Sequence, residues 1–370
     1  MLKGISLTLM MGAMRPAPVA PEIAEALISA QVTQATEQKS GFSLTFALGK
    51  GSGIRLHFEN GLFDPPARMV LVAMVNGSAN VLMDGVITQH AVTASNEPGQ
   101  TQLTVTGEDL SRLLDTVDFS WLIKYPAMPA EARVALILAK YLPFGVTPLI
   151  VPSINIDVPL PTELIPSHMG TDLQYVTYLA KSVGYVFYVD PGPLPGQSIA
   201  YWGPEIKTGP AQQALIVNSD ASSNVDQLSF SFDGFSKTPF LLLIQNEALP
   251  VPIPVPIPDV NPLSPPLGPR PPVPLRAEPL TGIGKLSPAQ AVMVGLAKTA
   301  RAAEVITGSG SLNVMRYGRL LKARRLVEVR GAGRPHDGLH YVRSVTHQIK
   351  PGEYKQTFSL SRNAFDPWSG

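Results

Sequence analysis

The sequence predicts a mainly β, α+β chain in which two similar β-domains flank helical material. Three observations carry that expectation. The first hundred residues are nearly all strand-like. One hairpin pattern occurs near residue 84 and again near residue 337. Helical periodicity is confined to the stretches between and after the first strands. The chain has 370 residues, 45% of them hydrophobic, enough for two or three domains with a sizeable core.

In chain order, Leu7 and Leu9 alternate with Ser6 and Thr8, which reads as a first strand. The same polar residues interrupt the apolar run that a signal peptide would need, and no small-residue cleavage site follows cleanly. Pro21 to Val32 reads as a short helix, with Pro at its start and Glu22 and Glu25 in the first turns. Phe42–Leu48, Ile54–Phe58, Arg68–Val75, Asn80–Val92 and Thr101–Gly107 read as strands. The longest apolar run, Met69 to Val75, is far too short to span a bilayer, so no membrane insertion is expected.

Three helices follow. "EDLSRLLD" is short, "PAEARVALILAKYL" opens on Pro129, and "TDLQYVTYLAKSVGY" runs from the N-cap candidate Thr171 to Gly184. "YVFYVD" and "SIAYWG" form an expected hairpin, and "NVDQLSFSFDG" a strand. A proline-rich segment comes next, holding 13 of the 37 prolines between Pro250 and Pro279. Ser287 and Pro288 then open an amphipathic helix. "GSLNVMRYG", "RLVEVRG", "LHYVRSVTHQIK" and "YKQTFSLSR" close the chain as strands.

The internal echo is the most informative feature. "DGVITQHAVTASNEPGQTQLTVTGED" begins at Asp84 and "DGLHYVRSVTHQIKPGEYKQTFSLSRN" at Asp337. Each reads Asp-Gly, strand, Thr near His, Pro-Gly turn, alternating strand. Such an echo predicts a duplication, with His90 and His347 in equivalent structural places.

Chemistry-bearing motifs are missing. There is no cysteine, which removes disulfides, thiolate nucleophiles and Cys-ligated zinc. "GKGSG" lacks the spacing of a phosphate-binding loop and reads as a turn. His336 and His340 have metal-ligand spacing only on a helix, and the sequence there reads as turn and strand. No catalytic site, cofactor or metal is expected. Net charge is +1, giving no bulk attraction to nucleic acid. Met315–Arg334 nevertheless carries seven basic residues and one acid. Arg316, Arg319, Lys322, Arg324 and Arg325 could make a positive band facing a partner or a lumen, and the segment lacks the aromatic platforms of a single-strand binder.

The C-terminal segment resembles the end of the late control protein D family, the hub proteins of contractile phage tails and injection systems. The matching residues are Asp337, Gly338, Tyr341, Val342, Val345, His347, Tyr354, Phe358, Leu360 and Arg362. Asp172, Leu173, Leu179, Ala180 and Gly184 resemble a middle segment of that family. "LMDGVITQHAV" with "TVTGEDLSRLLD" resembles the end of its first domain.

The resemblance implies two tube-like β-barrel domains with an intervening α+β segment and a Pro-rich insertion. The expected bounds are 1–110 (with the short helix at 21–30) for the first barrel, 111–215 for the middle and 216–248 with 306–366 for the second barrel. The arm and its helix take 249–305. It further implies a homotrimeric ring, made in the cytoplasm, that adapts a sixfold inner tube above to a threefold spike below, with baseplate wedge proteins around it. The chain stops soon after the second barrel, so the spike is expected as a separate protein. A β-rich module binding carbohydrate or a cell surface is the alternative, and the dispersed tryptophans argue against it.

In "LPVPIPVPIPDV", Val251, Ile253, Val255 and Ile257 alternate with proline. Residues before proline are pushed to extended backbone. Their N–H groups then share one edge, and the prolines leave the other edge without donors. Such a strand pairs on one side only. The sequence reading is an arm that leaves one barrel for a neighbouring surface, long enough at roughly 90 Å to reach another subunit.

Overall fold

The structure, a computed structural model, describes residues 5–36, 38–49, 51–95, 97, 100–120, 122–153, 162, 165–219, 222–246, 249–259, 262–283 and 286–368, with backbone alone at 244–246 and 249–252. The first β-unit comprises β1 (Ile5–Gly12), β2 (Ala17–Pro18), α1 (Pro21–Glu25), β3 (Leu27–Ala35), β4 (Gly41–Ala47), α2 (Ile54–Glu59), β5 (Arg68–Val75), β6 (Ser78–Thr93) and β7 (Gln102–Asp109). A middle unit holds a 3-10 turn (Leu110–Asp115), α3 (Ala130–Ala139), β8 (Val146–Ile150), α4 (Asp172–Ser182), β9 (Val186–Pro191) and β10 (Ser198–Gly203). The second β-unit begins with β11 (Gln212–Ile216) and β12 (Gln227–Phe232). An insertion carries β13 (Phe240–Asn246), β14 (Leu249–Pro256), β15 (Glu278–Pro279) and α5 (Pro288–Ala302). The second unit resumes with β16 (Ile306–Asn313), α6 (Val314–Tyr317), β17 (Leu326–Arg330), β18 (Gly338–Lys350) and β19 (Glu353–Arg362).

One sheet runs through both β-units in the order β12-β16-β19-β18-β3-β4-β7-β6-β5-β1-β2, while β17 joins β18 and β11 joins β17. The fold is therefore mainly β with helices, as the strand patterning predicts. Within this sheet one topology occurs twice. Strands β3-β4-β7-β6-β5 lie side by side in the first unit and β12-β16-β19-β18-β17 in the second. A short helix, α2 or α6, follows the second strand of each series.

The long strand of each unit carries the same irregularity. β6 pairs with β5 as far as Val86 and has a bulge at Thr88 before it continues along β7. β18 pairs with β17 as far as Tyr341 and has its bulge at Arg343 before continuing along β19. A bulge leaves one residue unpaired and bends the strand, so matching bulges fix the alignment of the two units. That alignment corrects the sequence echo. It sets His340 level with Gly85 and Val345 level with His90, so His90 and His347 are not equivalent. The two Asp-Gly pairs stand at different distances from their bulges.

The apolar core is continuous across both units. Val32, Leu44, Phe46, Leu71 and Val105 of the first share it with Leu312, Val329, Val342, Val345 and Leu360 of the second. Alternation along the strands produces it, since every second residue of β4, β7 and β19 is buried. Each unit also sets a phenylalanine over a cross-strand glycine. Phe42 pairs with Gly107, where a Cβ would meet the Phe42 ring at 2.2 Å, and Phe230 pairs with Gly308, where it would meet the ring at 2.8 Å.

Three readings of local structure change. Ile54–Phe58 is helix, because Ile54 and Phe58 lie on one helical face toward the core and Arg55 pairs with Glu59 one turn on at 2.9 Å. The helix begun at Pro21 ends at Glu25, because Leu27–Ala35 is claimed as a strand by β4 on one side and β18 on the other. "GSLNVMRYG" turns helical at Val314, where the Asn313 side chain accepts from Met315 N.

The middle unit packs α3 and α4 on the sheet β8-β10-β9 around Trp202, Tyr175, Val176 and Leu179. Thr171 and Gln174 form the capping box of α4, and Gly184 ends it at φ +73°. A buried ion pair ties this unit to the first β-unit. Arg68 donates to both Asp84 oxygens at 2.7 Å and also to the carbonyls of Met14 and Gly196, while Ser198 Oγ donates to Asp84 at 3.0 Å. Every polar atom named lies within a bidentate, charge-assisted network. Replacing Arg68 by Met should destabilise the chain by about 3–5 kcal/mol in urea unfolding, because Asp84 is left buried and unpaired. The double variant Arg68→Met with Asp84→Leu should recover much of that loss.

Candidate assembly surfaces

Among the described residues no group of three histidines or acids could hold a metal ion, and no helix is long and apolar enough to cross a membrane. His336 lies in a turn and His340 in β18, and both rings pack on Phe230, with centroids at 4.7 and 5.3 Å. His347 is buried, with Nδ1 2.7 Å from the Tyr354 hydroxyl. His90 is partly exposed and sits 3.3 Å from the Phe63 carbonyl. A largely buried set in the middle unit links Tyr125 to His168 at 2.8 Å, Arg133 to Tyr175 at 2.9 Å, and the half-buried Tyr141 to Asp172 at 2.6 Å. Burial pushes the Tyr125 hydroxyl up to about 12 and the His168 ring down. Sequence reading missed this set, which is scattered over fifty residues of chain.

The basic segment divides in two. Arg316 pairs with Asp226 at 2.9 Å. Arg324 pairs with Asp190 of β9 at 2.5 Å, donates to the Ala35 carbonyl at the end of β3, and lies 4.1 Å over the Tyr188 ring. It thus joins both β-units to the middle unit, and its reading as a partner-facing residue is corrected: opposite charge within the chain has claimed it. Arg319, Lys322 and Arg325 remain exposed and form no ion pair among the described residues. All three line a cleft of about 590 Å³, and Lys322 and Arg325 also line an adjoining cleft of about 350 Å³ that shares Asn80 and Leu320 with it. Burial and the neighbouring Arg325 lower the Lys322 ammonium below its usual range.

The proline strand is extended and pairs on one side only, as its alternation predicts. Its partner corrects the expectation of an arm to another subunit. β14 is the edge of the sheet β14-β13-β15 and pairs antiparallel with β13 of its own chain. Ile257 N donates to the Phe240 carbonyl at 3.0 Å, and Val255 lies opposite Leu242. Closing a hairpin over a short connection costs far less entropy than recruiting a distant strand. Phe240–Asn246, assigned by sequence to the second barrel, therefore belongs to the insertion. Ile257 is buried against α5, where a Cβ on Gly295 would meet it at 2.2 Å. Ile253 and Val255 lie farther out and are exposed, and the Val251 side chain falls outside the described residues. The following prolines also fold back, with Leu267 N donating to Asn363 and Arg270 bridging to Phe365.

Between the β-units, the second part of β18 pairs antiparallel with β3 from Ser344 opposite Ala35 to Ile349 opposite Ala30. Ala30, Val32, Ala35, Val345 and His347 are all buried at this junction.

This is a phage tail protein fold. The chain is similar to the tail protein from Neisseria meningitidis MC58, at 14% identity and a TM-score of 0.62, with 97% of each chain covered. It is likewise similar to the 43 kDa tail protein of prophage MuSo2 from Shewanella oneidensis, at 15% identity and a TM-score of 0.61, with 98% and 100% covered. A chain of the Francisella PdpA-VgrG complex in its lidded form gives a TM-score of 0.61 at 8% identity, and 99% of this chain spans 54% of that one. No family model and no curated protein sequence matches the chain.

Two predictions follow from these surfaces. Burial pushes His340 and His347 down to about 3 from 6.5. Both are neutral in the folded chain and gain a proton on unfolding, so stability falls as pH drops from 6.5 toward 3, by about 1.4 kcal/mol per pH unit for each ring. Asp109, raised by burial to about 6, acts in the opposite sense and loses its contribution as pH rises toward that value. Urea unfolding of His347→Gln between pH 4 and 6 should show a shallower pH slope than the parent; an unchanged slope contradicts the assignment. Separately, Pro254→Thr with Pro256→Thr restores donors to the outer edge of β14. The variant should form larger assemblies in light scattering than the parent does at the same concentration.

Proposed function

We propose that the chain is the structural hub of a contractile tail or injection-machine baseplate, forming a ring of three copies that adapts a sixfold inner tube to a threefold spike. The duplicated β-unit carries this reading. A single chain holds two copies of one strand order, each with its bulge and its short helix, fused into one sheet. Three such chains present six similar units on a threefold axis, which is the symmetry mismatch an adaptor must bridge. Similarity in fold to solved structures named as tail proteins and a PdpA-VgrG complex supports the reading. The inner tube, a separate spike and the baseplate wedge proteins are its proposed partners. Arg319, Lys322 and Arg325, exposed and without an ion pair among the described residues, are the proposed polar contacts to one of them.

Light scattering of the purified chain, with and without a spike protein, tests the reading. The expected species has the mass of three chains and appears as a ring with six lobes in electron micrographs. A chain that stays monomeric in both conditions contradicts it.

A further inference from the structure

The prolines that follow β14 form a second element, which the hub reading leaves unused. Residues 271–276 run Pro-Pro-Val-Pro-Leu-Arg. Proline holds its own φ at about −65°, and a residue before proline is kept extended. Pro271, Pro272 and Pro274 fix their own φ, while Arg270, Pro271 and Val273 each precede a proline. Together these restraints favour polyproline II, a left-handed helix with three residues per turn and no internal hydrogen bonds. The structure agrees. Residues 271–277 contain no turn, bend or bridge. The backbone N–H groups of Val273, Leu275, Arg276 and Ala277 bond to nothing among the described residues.

Both ends of this strap are tied down. Arg270 N donates to the Phe365 carbonyl at 3.4 Å, and Phe365 N donates back at 2.9 Å. The Arg270 guanidinium lies 4.8 Å over the Phe365 ring and pairs with Asp366 at 2.9 Å. At the far end Glu278 N donates to the Pro239 carbonyl at 3.2 Å, where β15 joins β13. In between, Pro272 is buried and its carbonyl accepts from Lys237 at 2.8 Å, with Lys237 held by Asp259 at 2.7 Å. Residues three apart share an edge of a polyproline helix. With the Pro272 edge turned inward, two edges face out, one carrying Pro271 and Pro274, the other Val273 and Arg276. All four residues are exposed, Val273 by 75% and the Arg276 side chain by 68%. Leu275, one turn beyond Pro272, has left the surface and is exposed as well.

We infer that residues 271–276 are a polyproline ligand, held ready for a partner protein that offers a groove lined by aromatic rings and ending in an acidic side chain. Grooves of that kind take extended Pro-x-x-Pro segments. Ordering of the strap within the fold removes much of the entropy that a free peptide loses on docking. Arg276 pairs with Glu278, but both are open to solvent, and so weak a pair is readily exchanged for a carboxylate in a drier groove. β14 cannot serve in this way, because β13 occupies its one edge with donors. The inference does not rest on the ring, since a single chain presents the strap.

The test uses the full chain and a purified SH3 domain that accepts Pro-x-x-Pro-x-Arg peptides, with binding followed by calorimetry. One domain should bind per chain. Pro271→Ala with Pro274→Ala should weaken binding at least tenfold, and so should Arg276→Glu. Pro254→Ala with Pro256→Ala, in β14, should leave it unchanged. The altered strap residues are exposed, so urea unfolding of these variants should match the parent; should the proline variant unfold early, Arg276→Glu alone decides. Absence of binding at about 1 mM domain, or binding that survives the strap variants, would overturn the strap as a ligand and leave the hub reading standing.

Discussion

The antiparallel ladder between β3 and β18 is the constraint on which the rest of the molecule depends. It turns two copies of one β-unit into a single sheet over a continuous core. Once the ladder is made, the relative placement of the units follows. β3 can satisfy its backbone on both sides only by taking β18, and β18 can do so beyond its bulge only by taking β3. The bulge at Arg343 is where the strand trades β17 for β3. Such a switch lets one strand serve two neighbours.

Polar locks hold the other parts to this frame. The buried Arg68–Asp84 pair draws in Ser198 and the Gly196 carbonyl, so the middle unit is fixed on the first β-unit by hydrogen bonds that have no water to replace them. Arg324 does the same at the end of β3, gripping Asp190 and stacking on Tyr188. Its backbone sits at φ +60°, a conformation that a non-glycine residue keeps only when its surroundings hold it there. A chain of net charge +1 can thus carry a basic segment whose charges act in different ways. Arg324 is internal, while Arg319, Lys322 and Arg325 stay outside.

Much of the fold was legible because alternation in Phe42–Leu48, Thr101–Gly107 and Tyr354–Leu360 records burial directly. The caps at Thr171 and Ser287 were legible for the same reason: a local hydrogen bond leaves a local signature. Ile54–Phe58 misled because residues spaced by four alternate like a strand and also share a helical face. The proline strand revealed its one usable edge but not the identity of its partner, since β13 carries no mark beyond being apolar and near. Arg324 could not be separated from Arg325 by sequence, as the difference is Asp190, far along the chain.

Amide hydrogen exchange on the purified chain tests the central claim most directly, that the ladder between β3 and β18 joins the two β-units in one sheet. The account predicts slow exchange along Ala30–Ala35 and Ser344–Ile349, and fast exchange along Gln227–Phe232, which pairs on one side only among the described residues. Exchange at β3 and β18 as fast as at Gln227–Phe232 would contradict it.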